Sequence, residues 1–162
     1  MSGLNFGELV MPKDIIEAYA MAVKARESCT RKAFAEVVEF CENDLQCSAD
    51  NSRKRNILML WSYDKLAQSY ARAKDYEQAY NYWRKALALT TSAAIRLNLG
   101  LKMLDAADKS IADITRKATK IVEITTMLQK VYQENGDVDN VQKMQSLTIS
   151  AMRLLPQSNA VN

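Results

Sequence analysis

Histidine is absent from the 162-residue chain, which removes His-containing catalytic triads, HExxH zinc sites and an imidazole proton shuttle. Glycine occurs only at positions 3, 7, 100 and 136, too far apart to write GxGxxG or GxxxxGK[ST], so neither nucleotide cradle can be built. Cysteine is limited to Cys29, Cys41 and Cys47, with no CxxC pair and an odd count unlike a secreted disulfide scaffold. Their spacing gathers no metal-ligand set, so buried thiols in a reducing cytoplasmic setting are expected, with no metal and no cofactor. Aromatic residues make up 7% and show no interleaving with basic ones, and a net charge of +3 is mild, so nucleic acid is not an expected partner. No apolar run reaches the roughly 18 residues a membrane span needs, and Asp14 and Glu17 interrupt what would be the apolar core of a secretory signal.

Against these absences, 48% hydrophobic and 25% charged residues describe a chain able to bury a core. Two prolines, four glycines and an abundance of Ala, Leu, Lys, Glu, Gln and Met favour helix over sheet. The expected organisation is an N-terminal tail over 1–11, one all-helical domain over 12–156 and a C-terminal tail over 157–162. Pro12 and an Asp14 to Glu17 capping box open a first helix, with Ile15, Ile16, Tyr19 and Val23 on its apolar side. Ser28 is the expected cap of a second, running through Phe34, Val37, Val38, Cys41 and Leu45 to a polar loop at 48–52. A third helix spans about 53–74. Asp75 and Gln78 form a capping box for a fourth that ends at Thr90, Thr91 and Ser92. Helix resumes from Ser92 with possible restarts at Asp105 or Asp108, where capping accounts for the acids. Asn135, Gly136 and Asp137 give a C-cap, turn and N-cap before a last helix stopped by Pro156. Capping likewise accounts for Asp137 and Asp139.

Within 60–93, Tyr63, Leu66, Ala67, Tyr70, Ala79, Trp83 and Ala86 resemble the tetratricopeptide pattern W-x2-L-G-x2-Y followed by A-x3-F. Small Ala67 and Ala79 would let two helices approach, with Tyr63, Tyr70, Tyr76 and Trp83 filling the gaps around them. A degenerate copy follows at about 93–121 through Leu99, Gly100, Met103 and Ala112, with Arg116 where the family has an aromatic residue. A third, at about 122–156, runs through Thr125, Leu128, Gln129, Tyr132 and Val141. The last two copies are offset by 29 residues against a family period of 34, so a helix is shortened or two are fused. The resemblance implies antiparallel helical hairpins stacked as a short right-handed superhelix. An alternative is a helical bundle with one long helix at about 109–135, whose seam Ile111, Ile114, Ala118, Ile121, Thr125, Leu128 and Tyr132 could pair between chains as a homo-oligomer.

In the family, the first helix of each repeat lines a peptide groove. Carried over, that groove would comprise Trp61, Asp64, Gln68 and Arg72, then Leu97 and Leu101, then Thr126, Lys130 and Gln133. Asp64 and Gln68 stand where some members hold a carboxylate clamp for chaperone tails, so that ligand class is disfavoured. A competing reading places Trp61, Leu97 and Leu101 against a neighbouring helix, as apolar stripes usually are. Arg53, Lys54 and Arg55 form a candidate basic patch, which Arg84 with Lys85, or Arg116, Lys117 and Lys120, extends only if the chain brings them together. The expected function is a non-enzymatic adaptor, assembly factor or dedicated chaperone that binds another protein or peptide, with no small-molecule substrate. The competing function is a self-associating structural bundle.

Overall fold

A computed structural model describes residues 15–44, 49–110 and 113–157. Pro12, Asp14, Leu45, Cys47, Ile111 and Ala112 therefore lie outside the described residues, as do the tail at 1–11 and most of that at 157–162. Among the described residues the protein is all-helical, with seven α-helices packed together and no strand. These are α1 (Ile15–Ser28), α2 (Arg31–Glu39), α3 (Ala49–Arg72), α4 (Tyr76–Leu87), α5 (Ala93–Lys109), α6 (Ile114–Glu134) and α7 (Val138–Met152); a π-helical turn, Phe40–Asp44, extends α2.

Each helix packs chiefly on its neighbours in sequence. Ala67 and Ala79 are fully buried where α3 meets α4, and Tyr63 and Trp83 are 6% and 5% exposed beside them, so methyl groups set the close approach and rings fill the space around it. Gly100 does the same for α5 and α6. A Cβ built there would stand 2.6 Å from Leu128 Cδ2 and 2.8 Å from Met127 Cε.

Two hairpins close with the same turn. After α3, Asp75 N–H donates to Tyr70 O and Lys74 N–H to Ala71 O; after α6, Asp137 N–H donates to Tyr132 O and Gly136 N–H to Gln133 O. This Schellman arrangement needs one left-handed residue, supplied by Lys74 at φ 62° and Gly136 at φ 72°. Each turn then delivers an aspartate N-cap, with Asp75 accepting from Gln78 N–H and Asp137 from Asn140 N–H.

Several local expectations are corrected. Thr30, not Ser28, caps α2: Ser28 still belongs to α1 and its hydroxyl donates back to Ala25 O, while Thr30 is extended and accepts from Ala33 N–H. The polar run expected as a loop at 48–52 is helical from Ala49, because Ser, Asp and Asn suit a solvated first turn as well as a loop. Neither Asp105 nor Asp108 starts a helix. Both lie inside α5, and the break comes at extended Ser110, with Asp113 capping α6 through Thr115 and Arg116 N–H. The long helix expected at about 109–135 is present as α6, Ile114–Glu134, opening at the Asp113 cap rather than at 109. Within its seam Ala118, Thr125 and Leu128 are at most 1% exposed, whereas Ile114 is 58% exposed. Positions read in two successive copies, Arg116 and then Thr125 to Tyr132, fall on the one helix α6, which packs on both α5 and α7.

Candidate functional surface

Helices two apart in sequence also meet. Lys102 on α5 reaches Asp64 on α3 at 3.0 Å. On the other side, Arg84 on α4 pairs with Glu123 on α6 at 3.1 Å, and Glu77 on α4 receives Arg116 at 3.2 Å and Lys120 at 3.6 Å. Leu101 and Leu104 of α5 share a recess with Leu147 of α7. Helices α3, α5 and α7 thus share one side, and α4 and α6 the other.

That division splits the expected groove. Trp61, Asp64, Gln68, Arg72, Leu97 and Leu101 are on α3 and α5, whereas Thr126, Lys130 and Gln133 are exposed on α6, in the opposite layer. Positions read as the first helix of a third copy lie in the second half of α6, which packs on both α5 and α7. Lys130 borders a separate niche of about 90 Å³ with Arg96, Met127 and Glu134.

On the α3 and α5 side, Asp64 is a structural hub. Its Oδ1 accepts from Trp83 Nε1 at 2.7 Å and from Lys102 Nζ at 3.0 Å, and its Oδ2 accepts from Gln68 Nε2 at 2.8 Å. Three helices are joined through one carboxylate, and Asp64 and Gln68 face each other. Trp61 is half-buried, edge-on to Phe34 with centroids 5.4 Å apart, and lines a shallow recess of about 170 Å³ with Tyr19, Val23, Arg26 and Leu58. Leu97 packs on the core, and Arg72 is exposed at the end of α3. Leu101 alone of the expected apolar set is exposed, at 45%. It forms, with Leu104, Ile121 and Leu147, an apolar recess of about 390 Å³ edged by Asp105 and Asp108.

Of the candidate basic residues, the later ones are engaged locally. Arg53 and Lys54 are exposed, but Arg55 is half-buried, and all three sit in the second turn of α3 rather than at its start. Lys117 donates to Asp108, Arg84, Arg116 and Lys120 are paired with acids as above, and Lys85 lies over the rings of Tyr82 and Tyr63. Sequence reasoning missed the stack to which Lys85 belongs. The Arg31 guanidinium lies 4.1 Å from the Tyr70 centroid, Tyr70 stacks on Tyr82 at 5.4 Å and 12°, and Lys85 Nζ lies 5.2 Å from Tyr82. Basic and aromatic groups do interleave, contrary to expectation, but across three helices where no local spacing reveals it. Nearby, Tyr63 donates to Glu42 at 2.5 Å; burial, then that carboxylate, pushes the phenol above its ordinary range. Burial and the Glu123 charge do the same to Tyr80, with Arg84 opposing them.

Of the thiols, Cys41 is buried as expected, but Cys29 is exposed. It holds the left-handed position, φ 52°, that turns the chain out of α1. Among the described residues no group of three or more Cys, Asp or Glu is placed to hold a metal, and no helix is long and apolar enough to cross a membrane. Comparison of the chain with protein-family models and with curated proteins finds no match.

Proposed function

We propose that this protein is a non-enzymatic, cytoplasmic interaction module with a tetratricopeptide-like arrangement of helical hairpins, acting as an adaptor, assembly factor or dedicated chaperone. Support for the arrangement comes from the two identical Schellman turns with aspartate caps, the alanine crossing of α3 on α4 and the glycine crossing of α5 on α6.

The observation that carries the function is the recess of Leu101, Leu104, Ile121 and Leu147. Its size is that of a binding cleft, its floor is apolar and its edge polar, which suits one or two aliphatic anchors of a helix or extended peptide. Trp61 and Asp64, by contrast, serve packing and hub roles that leave them little to offer a ligand. The binding surface is therefore placed at the α5, α6 and α7 end rather than along the whole α3 side.

Selection from a random peptide display library tests this. Wild-type protein is expected to enrich sequences with Leu, Ile, Met or Phe spaced three or four apart. Leu101→Asp, an exposed substitution that leaves the core intact, is expected to lose them. No enrichment by the wild type, or equal enrichment by the variant, refutes the assignment.

A further inference from the structure

Apart from Ile15, helix α1 gives the core only alanines, Ala18, Ala22 and Ala25. Its larger apolar residues Tyr19 and Val23 stand 43% and 46% exposed on the flank toward α3, where with Leu58 and half-buried Trp61 they line the recess of about 170 Å³. That recess is a groove between two helices. The solvent-facing side of α1 is a different one and carries Glu17, Lys24 and Glu27. Arg26 is the one charged residue lining the recess, and no carboxylate among the described residues pairs with its guanidinium. Upstream of α1, residues 1–11 hold Leu4, Phe6, Leu9, Val10 and Met11 and a single charged side chain, Glu8. Segments that stay solvated are ordinarily poor in such apolar side chains.

We propose that the N-terminal segment folds back along α1 and covers this recess, so that the α1 and α3 groove is occupied by the chain itself. Reach, charge and size select this occupant over a second copy or a foreign peptide. Tyr19, Val23 and Arg26 stand four, eight and eleven residues beyond Ile15, or about 6, 12 and 16 Å along the helix. With residues 12–14 spent on reversing direction, residues 8–11 extend about 13 Å. Leu9, Val10 and Met11 then come over Tyr19 and Val23, and Glu8 arrives within reach of the long Arg26 side chain. The one acid of the segment thus meets the one unpaired cation of the groove. A recess of about 170 Å³ is small for a free ligand, whose sites run to about 300 Å³ or more. A tethered segment needs less, because its short link supplies an effective concentration in the millimolar range. This recess shares no residue with the one at Leu101, which stays open.

Acrylamide quenching of tryptophan fluorescence in the full chain tests the proposal, with circular dichroism as the check on folding. Trp83 is 5% exposed and gives a constant background. Leu9→Asp combined with Val10→Asp should release the segment, uncover Trp61 and raise the quenching constant about twofold or more at every protein concentration, with the helix signal unchanged. Glu8→Arg and Arg26→Glu should each raise it, and the two together should return it most of the way, because the exchange restores the pair. In the wild type, nuclear Overhauser contacts should join the Leu9 and Val10 methyl groups to the Trp61 ring. Absence of those contacts, quenching indifferent to the aspartates, or a double swap no better than the singles overturns the assignment. So does wild-type quenching that falls as protein concentration rises, which would make a second copy the cover.

Discussion

Replacing Asp64 with alanine tests how the three central helices are joined. The substitution removes the acceptor for Trp83 Nε1, whose residue is 5% exposed, and for Lys102 Nζ, whose side chain is 32% exposed. An orphaned buried donor costs about 1–3 kcal/mol. Lys102 can rehydrate, so its lost pairing contributes at most about 1 kcal/mol, and half-exposed Gln68 adds little. Together the loss is about 2.5 kcal/mol, or roughly 5–10 °C in Tm for a chain of this size. Asp64→Asn retains an oxygen for the indole and should lose about 1 kcal/mol, and Lys102→Met should lose less. Urea unfolding followed by far-UV circular dichroism at one fixed protein concentration measures the series. The slope with denaturant should stay constant while the midpoint moves. Trp83→Phe adds an internal control: its hydrogen-bond penalty should vanish in the Asp64→Ala background, where no acceptor is left. A loss under about 0.5 kcal/mol for Asp64→Ala, or equal losses for alanine and asparagine, refutes the hub.

Other expectations follow from the turns, the crossing and the buried phenols. Lys74→Gly should stabilise and Gly136→Ala destabilise, each by about 1 kcal/mol, because both residues hold a left-handed backbone that only glycine adopts freely; thermal melts of the two variants should move in opposite directions. Gly100→Ala should cost about 1–2 kcal/mol and Gly100→Val more, since the added atoms press on the mobile ends of Leu128 and Met127. For the phenols, burial raises Tyr63 and Tyr80 in the folded state. The stability tied to their protonation is complete below the ordinary phenol value near 10 and is lost as pH rises through the folded values. Absorbance titration at 295 nm should show these two tyrosines ionising only with alkaline loss of helix signal; ionisation in the ordinary range with the helix signal intact contradicts their burial.

Helical class and most helix boundaries were legible because the signals are local. Asp75 and Gln78, or Asn135, Gly136 and Asp137, announce a turn within four residues, and Ala67 with Ala79 announces a close crossing by size alone. What stayed hidden depends on partners far along the chain. A polar first turn at Ala49–Ser52 reads as a loop until the helix behind it is known to include it. Asp64 looked like a ligand-facing residue because its partners, Trp83 and Lys102, are 19 and 38 residues away. The Arg31, Tyr70, Tyr82 and Lys85 stack is invisible for the same reason. Repeat counting assigns Thr126, Lys130 and Gln133 to the groove, and it fails because α6 lies in the layer of α4 rather than that of α3 and α5. Leu101 is exposed, as a groove position would be, beside Ile121 and Leu147 of later helices.

Methyl-resolved NMR of the protein titrated with a peptide enriched by the wild type tests the central claim most directly. The account predicts saturable shifts at the methyl groups of Leu101, Leu104, Ile121 and Leu147, with those of Val138, Ile149 and Met152 unmoved. Shifts centred on those three residues of α7, or on Val23 and Leu58 beside Trp61, would contradict it.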